Sequence, residues 1–342
     1  MRRRRPGIGT ATQGAALSEE ADSATSVRRL ADRVLARDAR ALARTISWIE
    51  NGDGRGREIL RDLAADVGRH DGVASKQAGT RVIGVTGAPG AGKSTTTNAL
   101  VAALRARGEQ VAVLAVDPSS PFSGGALLGD RVRMQGHALD SGVFIRSMAS
   151  RGQLGGLSAA APMAIRVLAA AGFSVVVVET VGVGQAEVEI ASAADSTVVV
   201  VVPGMGDSIQ AAKAGVLEIA DVLAVNKADR PDTAATVRDL KHMVALSSAA
   251  WKPPVVPTVA TTADGIGDLL GALDRHWEWL ASAGELTRRR RSRARDEVLA
   301  LAYDAVRREL SGPLLDTLAG QVADGVLDPH QASEKLLASV KG

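Results

Sequence analysis

The glycine-rich stretch at residues 87–94 constrains the fold of this chain more than any other part of its sequence. It reads GAPGAGKS, follows an apolar run at residues 82–85 and precedes residues 95–104, which have the pattern of a helix. This order of strand, glycine-rich turn and helix is typical of a phosphate-binding P-loop, because glycines let backbone N–H groups converge and the helix N-terminus adds partial positive charge. The stretch predicts a site for a nucleoside phosphate, although a glycine-rich turn that binds nothing has the same local pattern.

Individual residues of this stretch have predicted roles in binding the phosphates and a metal ion. Lys93 can reach the β- and γ-phosphates and stabilise negative charge there, and the hydroxyl of Ser94 can ligate Mg²⁺. The residues expected to contact the nucleotide phosphates are Gly87, Ala88, Gly90, Ala91, Gly92, Lys93, Ser94 and Thr95.

The composition excludes several classes of function. Among the 342 residues there is no cysteine, which excludes disulfides, thiolate metal sites and a cysteine nucleophile, and the five histidines show no metal-ligand spacing. Basic runs at residues 2–5 and 288–295 lack the interleaved aromatic residues of a nucleic-acid site, and no apolar run reaches the roughly 18 residues of a membrane helix. We expect a cytoplasmic protein without a nucleic-acid or membrane partner.

Short apolar runs alternate with helical patterns through the middle of the chain. The runs are nearly continuous in Val, Ile and Leu, which is typical of a parallel sheet buried on both faces. We predict an α/β fold of the P-loop NTPase type, with a mostly parallel central sheet, helices on both of its faces, and helical N- and C-terminal extensions. The predicted strands are residues 82–86, 111–116, 143–148, 175–179, 197–202, 222–226 and 255–259.

The sequence divides into four predicted parts. Residues 1–24 are rich in small and polar side chains and are predicted to be disordered, whereas residues 25–78 form an N-terminal helical extension. Residues 79–284 form the nucleotide-binding domain. Residues 285–342 carry apolar stripes at helical spacing but no residues with evident chemistry. These last helices either pack on their own domain or form a dimerisation arm.

A second motif, Asn226-Lys227-Ala228-Asp229, lies at the end of a predicted strand. The Asp229 carboxylate can accept hydrogen bonds from the ring N–H and the exocyclic amine of guanine, Asn226 can reach the O6/N7 edge, and the stem of Lys227 can cover the base. Adenine offers no such donor pair, so it would leave a carboxylate unpaired at a cost of about 1–3 kcal/mol. The motif therefore predicts GTP over ATP.

Three acidic side chains follow predicted strands and are candidates for a Mg²⁺ site. Glu179 follows the apolar run at residues 175–178, where a metal-binding acid of P-loop proteins belongs, and the amide of Gly182 just beyond it would face the γ-phosphate. Asp117 and Asp130 lie on the loop after the second strand and could also approach the metal. Each of these two aspartates could equally be a helix cap or a turn residue.

Several long stretches together resemble a known family. The chain resembles the MeaB/ArgK-type GTPases, which are the methylmalonyl-CoA mutase-associated proteins of the SIMIBI class of P-loop GTPases. The similarity extends over about residues 30–280, and the matching stretches are GVTGAPGAGKST, VLAVDPSSPFSGGALLGDRVRM, FIRSMASRGQLGGLS, VVVETVGVGQAEVEI, VVVPGMGDSIQAAKAGVLEIAD, NKAD and WKPPVVPTVA.

The resemblance implies further roles for single residues. Asp117, Asp130 and Glu179 correspond to acids around the Mg²⁺ site of the family. Lys213 matches a lysine of an additional switch, residues 203–215 here, that reaches towards the nucleotide when ordered. The resemblance also implies a homodimer formed through the C-terminal helices.

One departure from the family pattern falls in the last guanine-binding loop. The usual Ser-Ala is Val259-Ala260 in this chain. Because a backbone amide at this position can still contact the guanine O6, we expect guanine specificity to persist.

The resemblance implies a GTP-binding and GTP-hydrolysing chaperone, with GTP/GDP and Mg²⁺ in its site, for the adenosylcobalamin-dependent methylmalonyl-CoA mutase. Its nucleotide state would be coupled to loading and protection of the mutase cofactor. A metal-insertion GTPase is one alternative, but such proteins usually have Cys- or His-rich metal sites. The other is a P-loop small-molecule kinase, as in the inherited label of lysine/arginine/ornithine transport, which would not need the motif at residues 226–229.

Overall fold

A seven-stranded parallel sheet forms the centre of the computed structural model, which describes residues 27–69, 79–117, 135–137, 139–149, 160–180, 186–204 and 218–339. The strands are β1 Arg81–Gly87, β2 Val111–Asp117, β3 Val143–Ala149, β4 Val175–Thr180, β5 Ser196–Val201, β6 Val222–Asn226 and β7 Val255–Thr258. Their order is β3-β2-β4-β1-β5-β6-β7, with every neighbouring pair parallel. The predicted P-loop NTPase fold is confirmed, and the seven strands lie where the apolar runs predicted them.

Helices cover both faces of this sheet. Because side chains alternate along a strand, Leu114, Val176 and Val178 are buried on one face, and Val113 and Val177 on the other. The helices are α1 Ala39–Glu50, α2 Gly54–Arg69, α3 Lys93–Ala106, α4 Ala160–Ala170, α5 Ala186–Ala193, α6 Thr233–Leu246, α7 Ile266–Ser282, α8 Glu285–Leu310, α9 Pro313–Ala323 and α10 Pro329–Ala338. Helices α1, α2, α4 and α5 contribute to the first apolar cluster, and α3 and α7 to the second.

The N-terminal helices pack beside the edge strand β3. Helix α1 begins after Asp38, whose carboxylate accepts a hydrogen bond from the backbone N–H of Ala41 at 2.8 Å and caps the helix. Arg146 of β3 donates to the hydroxyl of Ser47 at 2.8 Å and to a carboxylate oxygen of Glu50 at 2.9 Å. These bonds tie α1 to the edge of the sheet.

An ion-pair cluster joins the start of β1, the end of α3 and the middle of α7. Arg81 at the start of β1 and Arg107 just after α3 each donate to the carboxylate of Asp274 on α7 at 2.7 Å. Burial raises the pKa of Asp274, but the hydrogen bonds from Arg107 and Arg81 lower it more, so this pKa lies below its usual value. The cluster therefore connects α3 and α7, and the N-termini of these two helices lie at the opposite, carboxyl edge of the sheet.

The C-terminal helices belong to a second compact unit. The chain separates into Met1–Leu286 and Thr287–Gly342. Within the second unit α9 and α10 pack on each other, whereas α8 has no buried residue. Large apolar side chains of α8 are exposed, among them Val298, Leu301 and Val306. Across the described ranges, no helix is both long and apolar enough to cross a membrane.

Candidate nucleotide-binding site

The P-loop connects the end of β1 to the start of α3 at the carboxyl edge of the sheet. Its backbone has positive φ at Gly87 (139°), Gly90 (76°) and Gly92 (91°), a region that residues with a side chain rarely adopt. A methyl group at Gly87 would clash with the carbonyl of Val200, and one at Gly92 would clash with the amide of Asn226. Steric contact therefore requires glycine at two of these positions.

Lys93 lies against the P-loop from which it projects. It is 7% exposed, and its Nζ donates to the carbonyl oxygen of Ala88 at 3.1 Å. Thr95, two residues into α3, is exposed, whereas Ala91 within the loop is fully buried. A buried ammonium group at the N-terminus of a helix provides the positive charge that a bound phosphate needs.

Two of the predicted metal-site residues are hydrogen-bonded to each other. The Ser94 hydroxyl donates to Oε1 of Glu179 at 2.5 Å, and both residues are buried. Next to Glu179, the hydroxyls of Thr86 and Thr180 lie 3.1 Å apart at the ends of β1 and β4. Hydroxyl and carboxylate oxygens are the ligand types that Mg²⁺ prefers, so the donor set at Ser94 and Glu179 fits this ion.

The remaining predicted metal and switch residues are described only in part. Asp117 ends β2, paired beside Ala149 of β3, so its backbone is at the carboxyl edge, and its side chain is outside the described structure. Asp130, Gly182 and Lys213 lie outside the described residues. Their predicted roles stay predictions.

The guanine motif is hydrogen-bonded directly to the P-loop. Asn226 is 3% exposed, and its Nδ2 donates to the carbonyl of Ala91 at 2.9 Å. The neighbouring Lys227 has a φ of 58°, and its Nζ donates to the carbonyl of Gly90 at 2.9 Å. Asp229 is exposed on the turn that follows β6. Two motifs 135 residues apart in sequence thus form one site at the carboxyl edge.

The loop at residues 259–265 completes the site. The N–H of Ala260 donates to Oδ1 of Asn226 at 3.1 Å, and the N–H of Val259 donates to the carbonyl of Asp264 at 2.9 Å. Both amides that the sequence suggested for the guanine O6 therefore have partners within the protein. The contact between Thr262 and Asp264 in this loop was not predicted, although threonine and aspartate at this spacing are typical of a turn closed by side chains.

Fold and site together define a P-loop nucleotide-binding protein of the α/β type. The model of the MeaB family, described as the methylmalonyl-CoA mutase-associated GTPase MeaB, matches residues 42–313. The chain belongs to this family of P-loop GTPases, and the resemblance found in its sequence is confirmed. Membership implies that the nucleotide of this site is a guanine nucleotide.

Individual relatives extend over most of the chain. A protein described as a GTPase from Pyrococcus abyssi is 42% identical over 92% of this chain and 97% of its own length. The mouse protein named methylmalonic aciduria type A homolog, mitochondrial, is 32% identical over 76% of this chain and 65% of its own. A solved structure titled LAO/AO transport system kinase has a TM-score of 0.66 and 25% identity, covering 93% of this chain and 98% of that one.

Proposed function

We propose that this protein binds and hydrolyses GTP and acts as a chaperone for the adenosylcobalamin-dependent methylmalonyl-CoA mutase. In this proposal its nucleotide state is coupled to loading and protection of the mutase cofactor. The family description names an association with this mutase, and the mouse relative is named after methylmalonic aciduria. The observation that carries the nucleotide part is the pair of bonds from Asn226 and Lys227 to the P-loop, at 2.9 Å each.

The proposed binding mode divides the nucleotide between two groups of residues. The P-loop amides and the Lys93 ammonium bind the phosphates, because they concentrate positive charge at the start of α3. Asp229, exposed on its turn, accepts the ring N–H and the exocyclic amine of guanine. The loop that contains Val259 and Ala260 lies at the O6 side of the base.

Hydrolysis in this site depends on charge stabilisation around the γ-phosphate. Ser94 and Glu179 would hold Mg²⁺, with Asp117 and Asp130 as further acids, and the ion would neutralise charge on the β- and γ-phosphates. Lys93 stabilises the charge that develops as water attacks in line, and Gly182 and Lys213 act from the switch segments. Because no strong general base or arginine finger stands among the motif residues, we expect slow intrinsic hydrolysis that the partner accelerates.

The proposal also assigns the parts of the chain. Residues 1–24 lie outside the described structure; residues 25–78 are a helical extension, residues 79–284 the GTPase domain and residues 285–342 a homodimerisation arm. We place the protein in the cytoplasm, without a nucleic-acid or membrane partner. The metal-insertion and kinase alternatives are not better supported than the chaperone, and the kinase predicts tight ATP binding without GTP binding.

Phosphate release from GTP, measured with and without the purified mutase, tests the proposal. We expect the turnover rate to rise when the mutase is present and to fall by at least about 100-fold in Lys93→Ala, since a buried charge-stabilising group is removed. The Lys335→Ala variant, which removes an exposed lysine of α10, is the control and should keep the wild-type rate. An equal rate with and without the mutase would contradict the coupling, and full activity of Lys93→Ala would contradict the site.

A further inference from the structure

The loop between β7 and α7 is closed by a side-chain pair to which the proposed function gives no role. The hydroxyl of Thr262 donates to Oδ2 of Asp264 at 2.7 Å and lies 3.2 Å from the carbonyl oxygen of Val259. A hydroxyl has one hydrogen to donate, and the shorter bond to a carboxylate is the stronger of the two contacts. We call this bond between Thr262 and Asp264 the loop latch.

The latch lies where the backbone of the loop is strained. Ala263, between the two latch residues, has a φ of 63°, a left-handed conformation that costs a residue with a side chain about 1–2 kcal/mol. Gly265 has a φ of 74°, and a side chain there would clash with the carbonyl of Pro257. A side-chain bond that spans Ala263 offsets part of this strain and selects one loop conformation.

The opposite side of the same loop faces the nucleotide site. Ala260 is 7% exposed, and its N–H donates to Asn226, which in turn donates to the P-loop carbonyl of Ala91. The next amide, the N–H of Thr261, has no acceptor among the described residues and is available to a ligand. The position of the Thr261 amide relative to Asn226 depends on the conformation of the loop, to which the bond between Thr262 and Asp264 contributes.

We propose that the loop latch positions the amide of Thr261 for the guanine O6 and thereby contributes to nucleotide specificity. The inference rests on the guanine recognition proposed above. Thr262 and Asp264 act as positioning residues, since their side chains bind each other and do not touch the base. Backbone bonds from the N–H of Val259 to Asp264 and from the N–H of Thr262 to Val259 also close the loop, and the latch adds a side-chain bond across Ala263.

The test uses Thr262→Val, which removes the hydroxyl and keeps the branched shape, in the full chain. Affinities are measured by displacement of a fluorescent guanine nucleotide with GDP, IDP and 2-aminopurine riboside diphosphate. IDP keeps the O6 and lacks the exocyclic amine, whereas the 2-aminopurine compound keeps the amine and lacks the O6. We expect binding of GDP and IDP to weaken by about 3- to 10-fold, with binding of the 2-aminopurine compound within about 2-fold of the wild type.

Two further variants separate the latch from a general effect on folding. Thr262→Ser keeps the hydroxyl and should restore wild-type affinity for all three ligands. Thr317→Val removes a comparable exposed hydroxyl, bonded to the carbonyl of Pro313 at 2.8 Å in the C-terminal unit, and should change none of them.

The outcomes distinguish the latch from the guanine site itself. An equal loss for all three ligands in Thr262→Val, or no loss for GDP, would overturn the latch while the proposed function stands. A wild-type protein that binds ADP as tightly as GDP would overturn the guanine recognition, and the latch with it.

Discussion

Asn226 lies where the two halves of the site meet. One group of its amide donates to the carbonyl of Ala91 in the P-loop, and the other accepts from the N–H of Ala260. Because Asn226 is 3% exposed, these bonds satisfy polar groups that water does not reach. The residue predicted to read the base therefore also fixes the phosphate-binding loop relative to the base-binding loop.

At the residue scale, we predict that Gly92→Ala disrupts nucleotide binding. A methyl group at this position meets the Asn226 amide, and the φ of 91° strains any residue with a side chain. We expect the affinity for GDP to fall by at least about 10-fold, because strain of roughly 1–3 kcal/mol acts on the loop that binds the phosphates. Titration with a fluorescent guanine nucleotide measures the change.

Gly320→Ala provides the matched control for this substitution. Gly320 lies within α9, and an added methyl group has no neighbour within 4 Å. Its replacement should leave GDP affinity unchanged and raise the free energy of unfolding by up to about 1 kcal/mol, since alanine is the better helix former. If Gly92→Ala bound GDP like the wild type, the steric requirement for glycine would be wrong.

At the scale of secondary-structure elements, α3 and α7 both start at the nucleotide site and are joined through Asp274, which lies in the middle of α7 and pairs with Arg107 just after α3. Asp274 accepts hydrogen bonds from Arg81 and Arg107 at 2.7 Å each. The bonds join β1, the end of the P-loop helix and the helix that follows the base-binding loop. Loss of these bonds would weaken the contacts between the elements that position the P-loop and the base-binding loop relative to each other.

We predict that Asp274→Asn lowers stability in a pH-dependent way. The pKa of Asp274 is below its usual value in the folded protein, so its ion pairs stabilise the fold above the unfolded-state pKa of about 3.9. This contribution is lost as pH falls through the lower, folded-state pKa. At pH 7 the variant should lose about 1 kcal/mol of unfolding free energy, a modest value because solvent screens the partly exposed pair.

Urea unfolding at pH 7 and in steps down to pH 3 measures this effect. The difference between wild type and Asp274→Asn should shrink as the pH approaches the lowered pKa. Glu278→Gln, an exposed carboxylate of the same helix with no ion pair among the described residues, should show no comparable loss. A difference that stays constant with pH would contradict an electrostatic origin.

At the scale of the whole molecule, the exposed apolar side chains of α8 support the proposed homodimer. Val298 is 65% exposed and Leu301 41%, on a helix that has no buried residue in the single chain. Surfaces of this kind usually mark an interaction site. The second copy would bury them in the proposed dimer.

We predict that wild type is a dimer and that Val298→Glu with Leu301→Glu is a monomer. Two charges in an apolar interface would remain unpaired after burial and oppose association. Light scattering after size-exclusion chromatography measures the mass, and Ser292→Glu, an exposed site on the same helix, is the control. The control should stay dimeric, and a monomeric wild type would contradict the proposed arm.

Much of this protein could be predicted from its sequence because the decisive patterns are local. Seven near-continuous apolar runs became the seven strands, and the contiguous loop at residues 87–94 became the P-loop. The motif at residues 226–229 could be read for guanine because its four side chains are neighbours in the chain.

Only the tertiary structure decided which distant residues meet. The Ser94–Glu179 bond joins residues 85 apart, the Asn226–Ala91 bond joins residues 135 apart, and the place of β1 between β4 and β5 brings both pairs together. The latch could not be predicted from the sequence for a related reason. A threonine and an aspartate on a turn acquire a role only when the other side of their loop faces a binding site. Apolar periodicity and contiguous motifs belong to neighbours in sequence, whereas pairing across a sheet depends on how all strands pack at once.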